Sequence, residues 1–456
     1  MHVGHLIDQP KNNFSKVKQM IFSMQSRRIF SLAVPMIISN ITTPLIGLVD
    51  TAVIGHMEEA AFLAGVALGS LVLTQVYWLC GFLRMSATGL SAESKGRGDI
   101  ESSTNVWMQS VGLGLVIGLL ILLIQSPLLA LGLWFSDANE TIQFAATEYF
   151  QIRVWSAPAA MMNMAMIGWL VGQQRHKFIM WIQIAANIVN AVLDLVFVYG
   201  FDMGVSGVAL ASVFAEFTIL GLSLAYIFRF DLLLKSALTW SASGISDLKR
   251  LLSMNKDMLI RNLALQLCLA FITYTGISFG DTIAATNAIL MQFFMLIALG
   301  LDGLAYATEA LVGEAKGQRK PSAIREIVKS ALIWSNLIAL GYSGLFWVFG
   351  NEIVTLLTDI ESLRQSSLEY MVVILMLPVV AHWCFLFDGV YIGLTNAKAM
   401  RNSMLVCMII FFFPTWFCLS IYDNWGLWSS FMIFLALRGV TLGGHYYWLS
   451  SRKALL

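Results

Sequence analysis

Apolar runs of membrane-crossing length recur along the entire 456-residue chain. About 20 apolar residues are needed to cross the hydrocarbon core of a bilayer. With that ruler the sequence reads as twelve spans, at 28–55, 61–86, 103–133, 142–172, 177–200, 206–229, 251–278, 282–313, 322–349, 362–394, 399–421 and 426–449. Each is a helix, because backbone facing lipid must satisfy its own hydrogen bonds and the apolar period is not that of a barrel strand. Only 12% of residues are charged, where a soluble globular domain has about 25%. An ordinary soluble enzyme and a disordered chain are thereby excluded. Lys and Arg number 28 against 27 Asp and Glu, so no bulk basic field exists for nucleic acid.

The connections alternate in charge. One set carries Lys95 and Arg97; Arg175 and Lys177; Arg229, Lys235, Lys249 and Arg250; Lys316, Arg319 and Lys320; Lys398 and Arg401. The other carries Glu58 and Glu59; Asp137 and Glu140; Asp202; Asp281; Glu352, Asp359 and Glu361; and Asp423, with Arg364 as its clear cation. The positive-inside rule makes the first set and both termini cytoplasmic. Residues 1–27 have no apolar signal core and read as a cytoplasmic tail.

The chain repeats itself at an offset of 221 residues. Glu93-Ser-Lys95-Gly96 matches Glu314-Ala-Lys316-Gly317, and Glu148-Tyr149 matches Glu369-Tyr370. Gly168, Gly172 and Lys177 match Gly389, Gly393 and Lys398, and Gly55, Ala64 and Ala67 match Gly276, Ala285 and Ala288. Six spans per half is an even number, so the halves run in the same direction about an axis along the membrane normal. The expected organisation is an N-lobe at 28–229, a cytoplasmic linker at 230–250, a C-lobe at 251–450 and a tail at 451–456. Two such bundles suggest a central cavity and alternating access, although a duplicated bundle also suits a channel.

Function is sought where the repeat is broken. Asn40, Thr43, Gly47 and Asp50 form one helical stripe on span 1, and Asn187, Asn190 and Asp194 form another on span 5. The second half has Phe271, Met408, Phe411 and Thr415 where the first has Asp50, Asn187, Asn190 and Asp194. A carboxylate deep in a bilayer pairs, faces water or takes a proton. An Asp that meets water from each side in turn performs the minimal chemistry of a proton antiporter. A structural hydrogen bond between spans 1 and 5 is the alternative. Pro35 and Pro44 each remove a backbone bond from span 1, and Pro35 suits either a hinge or a static kink.

Span 4 carries Met161, Met162, Asn163, Met164 and Met166, which suit a promiscuous apolar pocket with one polar contact, or plain core filling. Asp388 in span 10 is a secondary cation-site candidate. Arg84, Arg153, Glu216, Arg261, Asp302, Glu309 and Arg438 are further buried ionisable groups, of which Arg84, Asp302 and Glu309 suit pairing or gating. No CxxC, metal-spaced His or phosphate-binding loop occurs, so neither a metal, a cofactor nor ATP hydrolysis is expected, and no catalytic nucleophile stands out.

Pro35 to Asn40, Leu48-Val-Asp50-Thr51 and Gly55-His56, with Asn187-Ile-Val-Asn190-Ala-Val-Leu-Asp194, Gly204, Gly207 and Gly168 through Gly172, resemble the multidrug and toxic compound extrusion (MATE) family. The combination looks like its DinF branch, and the resemblance runs from Arg28 to about Arg452. It implies export of amphipathic, often cationic drugs, driven by inward H⁺ or Na⁺, in a bacterial inner membrane. It carries coupling onto Asp50, Asp194 and Asn190, and bending onto Pro35. The NorM branch uses a carboxylate in span 7, where this chain has Arg261 and Gln266 but no acid. A Na⁺-coupled exporter or a flippase for a lipid-linked saccharide are the competing readings. The partners expected are small organic cations and membrane lipid, and a monomer suffices.

Overall fold

The computed structural model describes residues 24–55, 60–136, 138–234, 242–452 and 454–455, with side chains described for these except at 43–55, 60 and 242–245. The tail 1–23 and Glu58, Glu59, Asp137 and Lys235 lie outside the described residues. Among those described, all regular structure is helical. In the first half α1 (Met24–Gly55) is followed by α2 (Ala60–Leu79) and α3 (Phe82–Arg97), which form one broken span. Then come α4 (Ile100–Leu123) with α5 (Gln125–Trp134), α6 (Glu140–Arg153) with α7 (Ala157–Gly172), α8 (His176–Leu195) and α9 (Gly204–Arg229). The second half comprises α10 (Ala242–Ser278), α11 (Asp281–Gly317), α12 (Pro321–Leu357), α13 (Glu361–Glu369) with α14 (Met371–Gly393), α15 (Ala397–Val406) with α16 (Phe413–Leu419), and α17 (Asp423–Ser451).

Among the described residues, ten runs are long and apolar enough to cross a membrane. The last, Ala397–Ser451, contains a 3-10 turn at Ser420–Tyr422, and α1 is a further helix of 32 residues. The protein is an all-helical, multi-pass membrane protein.

Local chemistry explains where the helices start and break. Asp99, Asn139 and Asn396 each accept a hydrogen bond from the backbone N–H three residues on, capping α4, α6 and α15. Pro158 and Pro414 stand in the first turns of α7 and α16, where a missing N–H costs nothing. A π-helical turn, Val196–Gly200, closes the span of α8, and another, Cys407–Phe412, joins α15 to α16.

The duplication is written into the backbone. Gly98 and Arg319, Gln174 and Thr395, and Asp202 and Asp423 are three pairs at the 221 offset, and all six have positive φ. The side-chain-bearing members tolerate that left-handed geometry because the same turn is needed twice. Helix packing repeats as well. A Cβ at Gly168 would strike the Arg84 carbonyl and one at Gly389 the Ala305 carbonyl, again equivalent positions.

The core shows how the halves meet. The largest apolar cluster joins both, with Leu83 and Trp169 from the first half and Leu311 and Val390 from the second, toward the end that carries the basic loops. Toward the acidic end the cores separate. Val66, Tyr149, Val198 and Val208 form one cluster in the first half, and Phe293, Phe346, Phe412 and Phe431 belong to another in the second. The rings of Phe135 and Tyr274 meet across the rim there, 6.5 Å apart.

Candidate functional site

In the first half α1 packs along α8, and Ser39 Oγ donates to Gln183 Oε1 at 2.7 Å between them. Near the far end of α8, Asp194 is fully buried, two residues before the π-helical turn. Such turns widen the helix and often accompany functional sites. Asn190, one turn earlier, is 1% exposed, and neither its amide oxygen nor its amide nitrogen has a hydrogen-bond partner among the described residues. Asn187, a further turn back on the stripe, is half-buried. Thr43 and Asp50 belong to α1, but their side chains lie outside the described residues. Asn40 is placed elsewhere: its Nδ2 donates to the Leu299 carbonyl of α11 at 3.0 Å, tying α1 to the other half. α1 runs without a break through Pro35, which is buried.

The equivalent place in the second half is filled by rings. Phe271, at the position of Asp50, packs against Phe412, Phe413 and Trp416 with centroids 5.7, 5.3 and 6.1 Å away. The first half buries a carboxylate and an amide, Asp194 and Asn190, on its fifth span, whereas the second half packs aromatic rings between its first and fifth spans.

A second polar group in the first half ties α6, α7 and α9. Asn163 Nδ2 donates to the Glu216 carbonyl at 2.8 Å and to its carboxylate at 2.9 Å, and Arg153 pairs with that carboxylate at 3.4 Å. Around it, Met161 and Met166 are fully buried in the main core, while Met162 is half-buried. Sequence spacing placed Asn163 and the methionines on one helix but gave no sign that Glu216 was the amide's partner.

Asp388 is held by two arginines. Arg261 of α10 and Arg438 of α17 both donate to its Oδ2, the second at 2.7 Å. Both guanidiniums are almost wholly buried. The carboxylate is thus neutralised by fixed cations rather than left to bind a mobile one. His382, six residues away, has its Nδ1 3.0 Å from Ser335 Oγ. Arg84 of α3 crosses between the halves, reaching Glu309 of α11 at 3.0 Å and lying 4.1 Å from the Tyr306 ring centre. Among the described residues, no three His, Cys, Asp or Glu are grouped to hold a metal.

The sequence model of the MatE family matches residues 35–196 and 258–417, one stretch in each half of the repeat. The chain belongs to the MatE family. The DNA damage-inducible protein F of Escherichia coli K12 is 38% identical over 389 residues, spanning 85% of this chain and 84% of that protein. A probable multidrug resistance protein NorM of Rhizobium meliloti is 23% identical over 417 residues, 86% of this chain and 87% of that one. A solved structure described as the outward-facing conformation of a multidrug resistance MATE family transporter superposes with a TM-score of 0.83. It is 20% identical and covers 96% of this chain and 98% of its own, so it speaks to the fold. The MATE family is one of transporters, and the chain is a transporter rather than an enzyme.

Proposed function

We propose that this MATE transporter exports amphipathic, cationic small molecules by antiport against inward H⁺, with Asp50 and Asp194 as the proton-loading carboxylates. The observation that carries the reading is the contrast between the lobes. Asp194 and Asn190 are buried on α8 where the second half is packed with Phe271, Phe412, Phe413 and Trp416. Asp388, the acid that offered a second-half site, is already paired with Arg261 and Arg438. An acidic lining favours cationic cargo, and the printed description of the NorM relative as a multidrug resistance protein supports drugs as the class.

In this reading the basic loops face the cytoplasm of a bacterial inner membrane, and both termini lie on that side. The N-lobe is 28–229, the linker 230–250 and the C-lobe 251–450, with tails at 1–27 and 451–456. Pro35 is the point at which α1 bends when the aspartates change protonation. Thr43, Asn187, Asn190 and Met162 supply the polar and apolar contacts around cargo, while Asn40, Asn163, Met161 and Met166, engaged with neighbouring helices, brace the surrounding wall. One chain suffices. Na⁺ is the second reading, favoured by the Asn190 amide oxygen, which has no donor among the described residues and suits a hard cation.

The test is transport of a fluorescent cationic dye by the full chain in sodium-free liposomes under a pH gradient. Uphill dye movement is expected in the native protein. Asp50→Asn and Asp194→Asn, which keep shape but cannot ionise, should each lose it. Movement only after sodium is added would reassign the coupling ion. Native rates in both variants would remove the aspartates from the mechanism.

A further inference from the structure

The motif that reveals the repeat, E-x-K-G, lies at the basic end of α3 and again at the basic end of α11. At 1.5 Å per residue a helix of 37 residues, the length of α11, is about 55 Å long against ~30 Å of hydrocarbon. Its last turns therefore have length to spare beyond the apolar core. There the glutamate of each motif bonds to residues of the other half, while each lysine also donates within its own. Glu93 of the first half accepts from Arg250 at 2.6 Å, from Lys316 at 3.0 Å and from Thr395 Oγ1 at 3.1 Å, all second-half residues, and from its neighbour Arg97 at 2.7 Å. Glu314 of the second half accepts from Arg28 at 2.7 Å and Gln174 at 2.8 Å, both first-half residues.

The pattern obeys the repeat. Gln174 and Thr395 are equivalent positions, and both stand in the left-handed turns. Lys95 Nζ donates to the Gln173 carbonyl at 3.0 Å, and Lys316 Nζ to the Leu394 carbonyl at 2.8 Å, again equivalent. Arg28 falls at the position of Lys249, beside Arg250. The glycines let the helices close: a Cβ at Gly96 would strike the Glu314 backbone, and one at Gly317 the Glu93 backbone. Deeper along the same seam, Arg84 reaches Glu309, a link that the repeat does not duplicate, since Ala305 occupies the position equivalent to Arg84.

We propose that the two E-x-K-G motifs form a reciprocal latch, with Arg84–Glu309 as its deeper bar, that closes the basic face and has to part in each transport cycle. The inference rests on the antiport reading above. The apolar core that joins the lobes at this end resists parting, because parting exposes it to water. Charged groups differ: parted, they regain hydration that roughly offsets the lost pairing. Such a seam is specific when shut and still reversible. Glu93 and Glu314 are then positioning residues, acting on access rather than on cargo.

The experiment uses the full chain in lipid nanodiscs with Cys418→Ser, and spin labels at Lys177→Cys and Lys398→Cys. These two exposed, equivalent positions lie one in each lobe on the basic face. Glu93→Gln should raise the population of a longer interlobe distance by about tenfold, and Glu314→Gln by less, since it takes fewer donors. Native distance distributions in both variants would overturn the proposal. If the variants fold poorly, a cross-link decides. Ser86 Oγ donates to Asn255 Oδ1 at 2.6 Å across the seam, so Ser86→Cys with Asn255→Cys should oxidise to a disulfide that stops dye transport until reduced. Unchanged transport by verified cross-linked protein would equally sink the latch. Absence of transport by the native chain counts against the export reading instead, and the distance measurement still judges the latch.

Discussion

Asp388 shows how a carboxylate is accommodated inside a membrane protein: Arg261 and Arg438 converge on one of its oxygens. Removing one member of such a group leaves charge buried and uncompensated, at a cost of about 3–5 kcal/mol. Asp388→Asn should therefore lower the thermal midpoint of the detergent-purified protein sharply. The molecules that remain folded should still respond to a pH gradient, since coupling is assigned to the other lobe. Asn163 makes a gentler case. Its amide serves both a carbonyl and a carboxylate of Glu216, so Asn163→Leu removes a donor from each and leaves the carboxylate to Arg153 alone. About 1–3 kcal/mol of destabilisation is expected in the same thermal assay, the usual cost of an unsatisfied buried polar group.

Between helices, glycine decides how near two axes can come. Gly317 presses on the Glu93 backbone, whereas Gly112 on α4 has open space around it. The same substitution at the two sites should then have opposite effects. Gly317→Ala inserts a methyl where backbone already stands and should cost about 1–3 kcal/mol, with transport impaired. Gly112→Ala should be neutral or stabilising by up to ~1 kcal/mol through helix propensity alone. Thermal unfolding of the pair, measured side by side, tests whether the repeated small residues are contacts or mere composition. The π-helical turns belong to this scale too. In α8 the turn starts two residues after Asp194, whereas in the second half it begins at Cys407, so the equivalent spans present different faces to their neighbours.

Across the whole molecule the two lobes share one ancestry of backbone but differ in chemistry. Duplicated left-handed turns and glycine notches preserve the scaffold. The interior has diverged, to carboxylate and amide on one side and to aromatic rings on the other. Restoring an acid to the second half should fail for that reason. Phe271→Asp would set an isolated charge among Phe412, Phe413 and Trp416, where burial without a partner is expensive. The expected result is loss of monodisperse protein in size-exclusion chromatography, not a second coupling site. A folded variant that gained a further transported proton per dye would contradict this.

The sequence by itself determined that the chain crosses a membrane, that it does so as helices, and that it is a duplication. Each of these follows from local chemistry. A run such as 103–133 carries no charged side chain along its length, and an offset of 221 is visible in Glu93 to Gly96 and Glu314 to Gly317 without any fold. It also exposed the broken symmetry at Asp194, because a charged residue in an apolar run stands out. What it left open was pairing. Arg84, Glu309, Arg261, Asp388 and Arg438 were all visible as membrane ionisables, but whether a carboxylate is free to take a proton or fixed by an arginine depends on which helices adjoin. Helix adjacency is set by side-chain volumes and glycine notches acting over hundreds of residues, as between Arg84 and Glu309 or Arg261 and Asp388. The tertiary structure alone therefore decided that Asp388 is spoken for, and that the motif marking the duplication also joins its two copies.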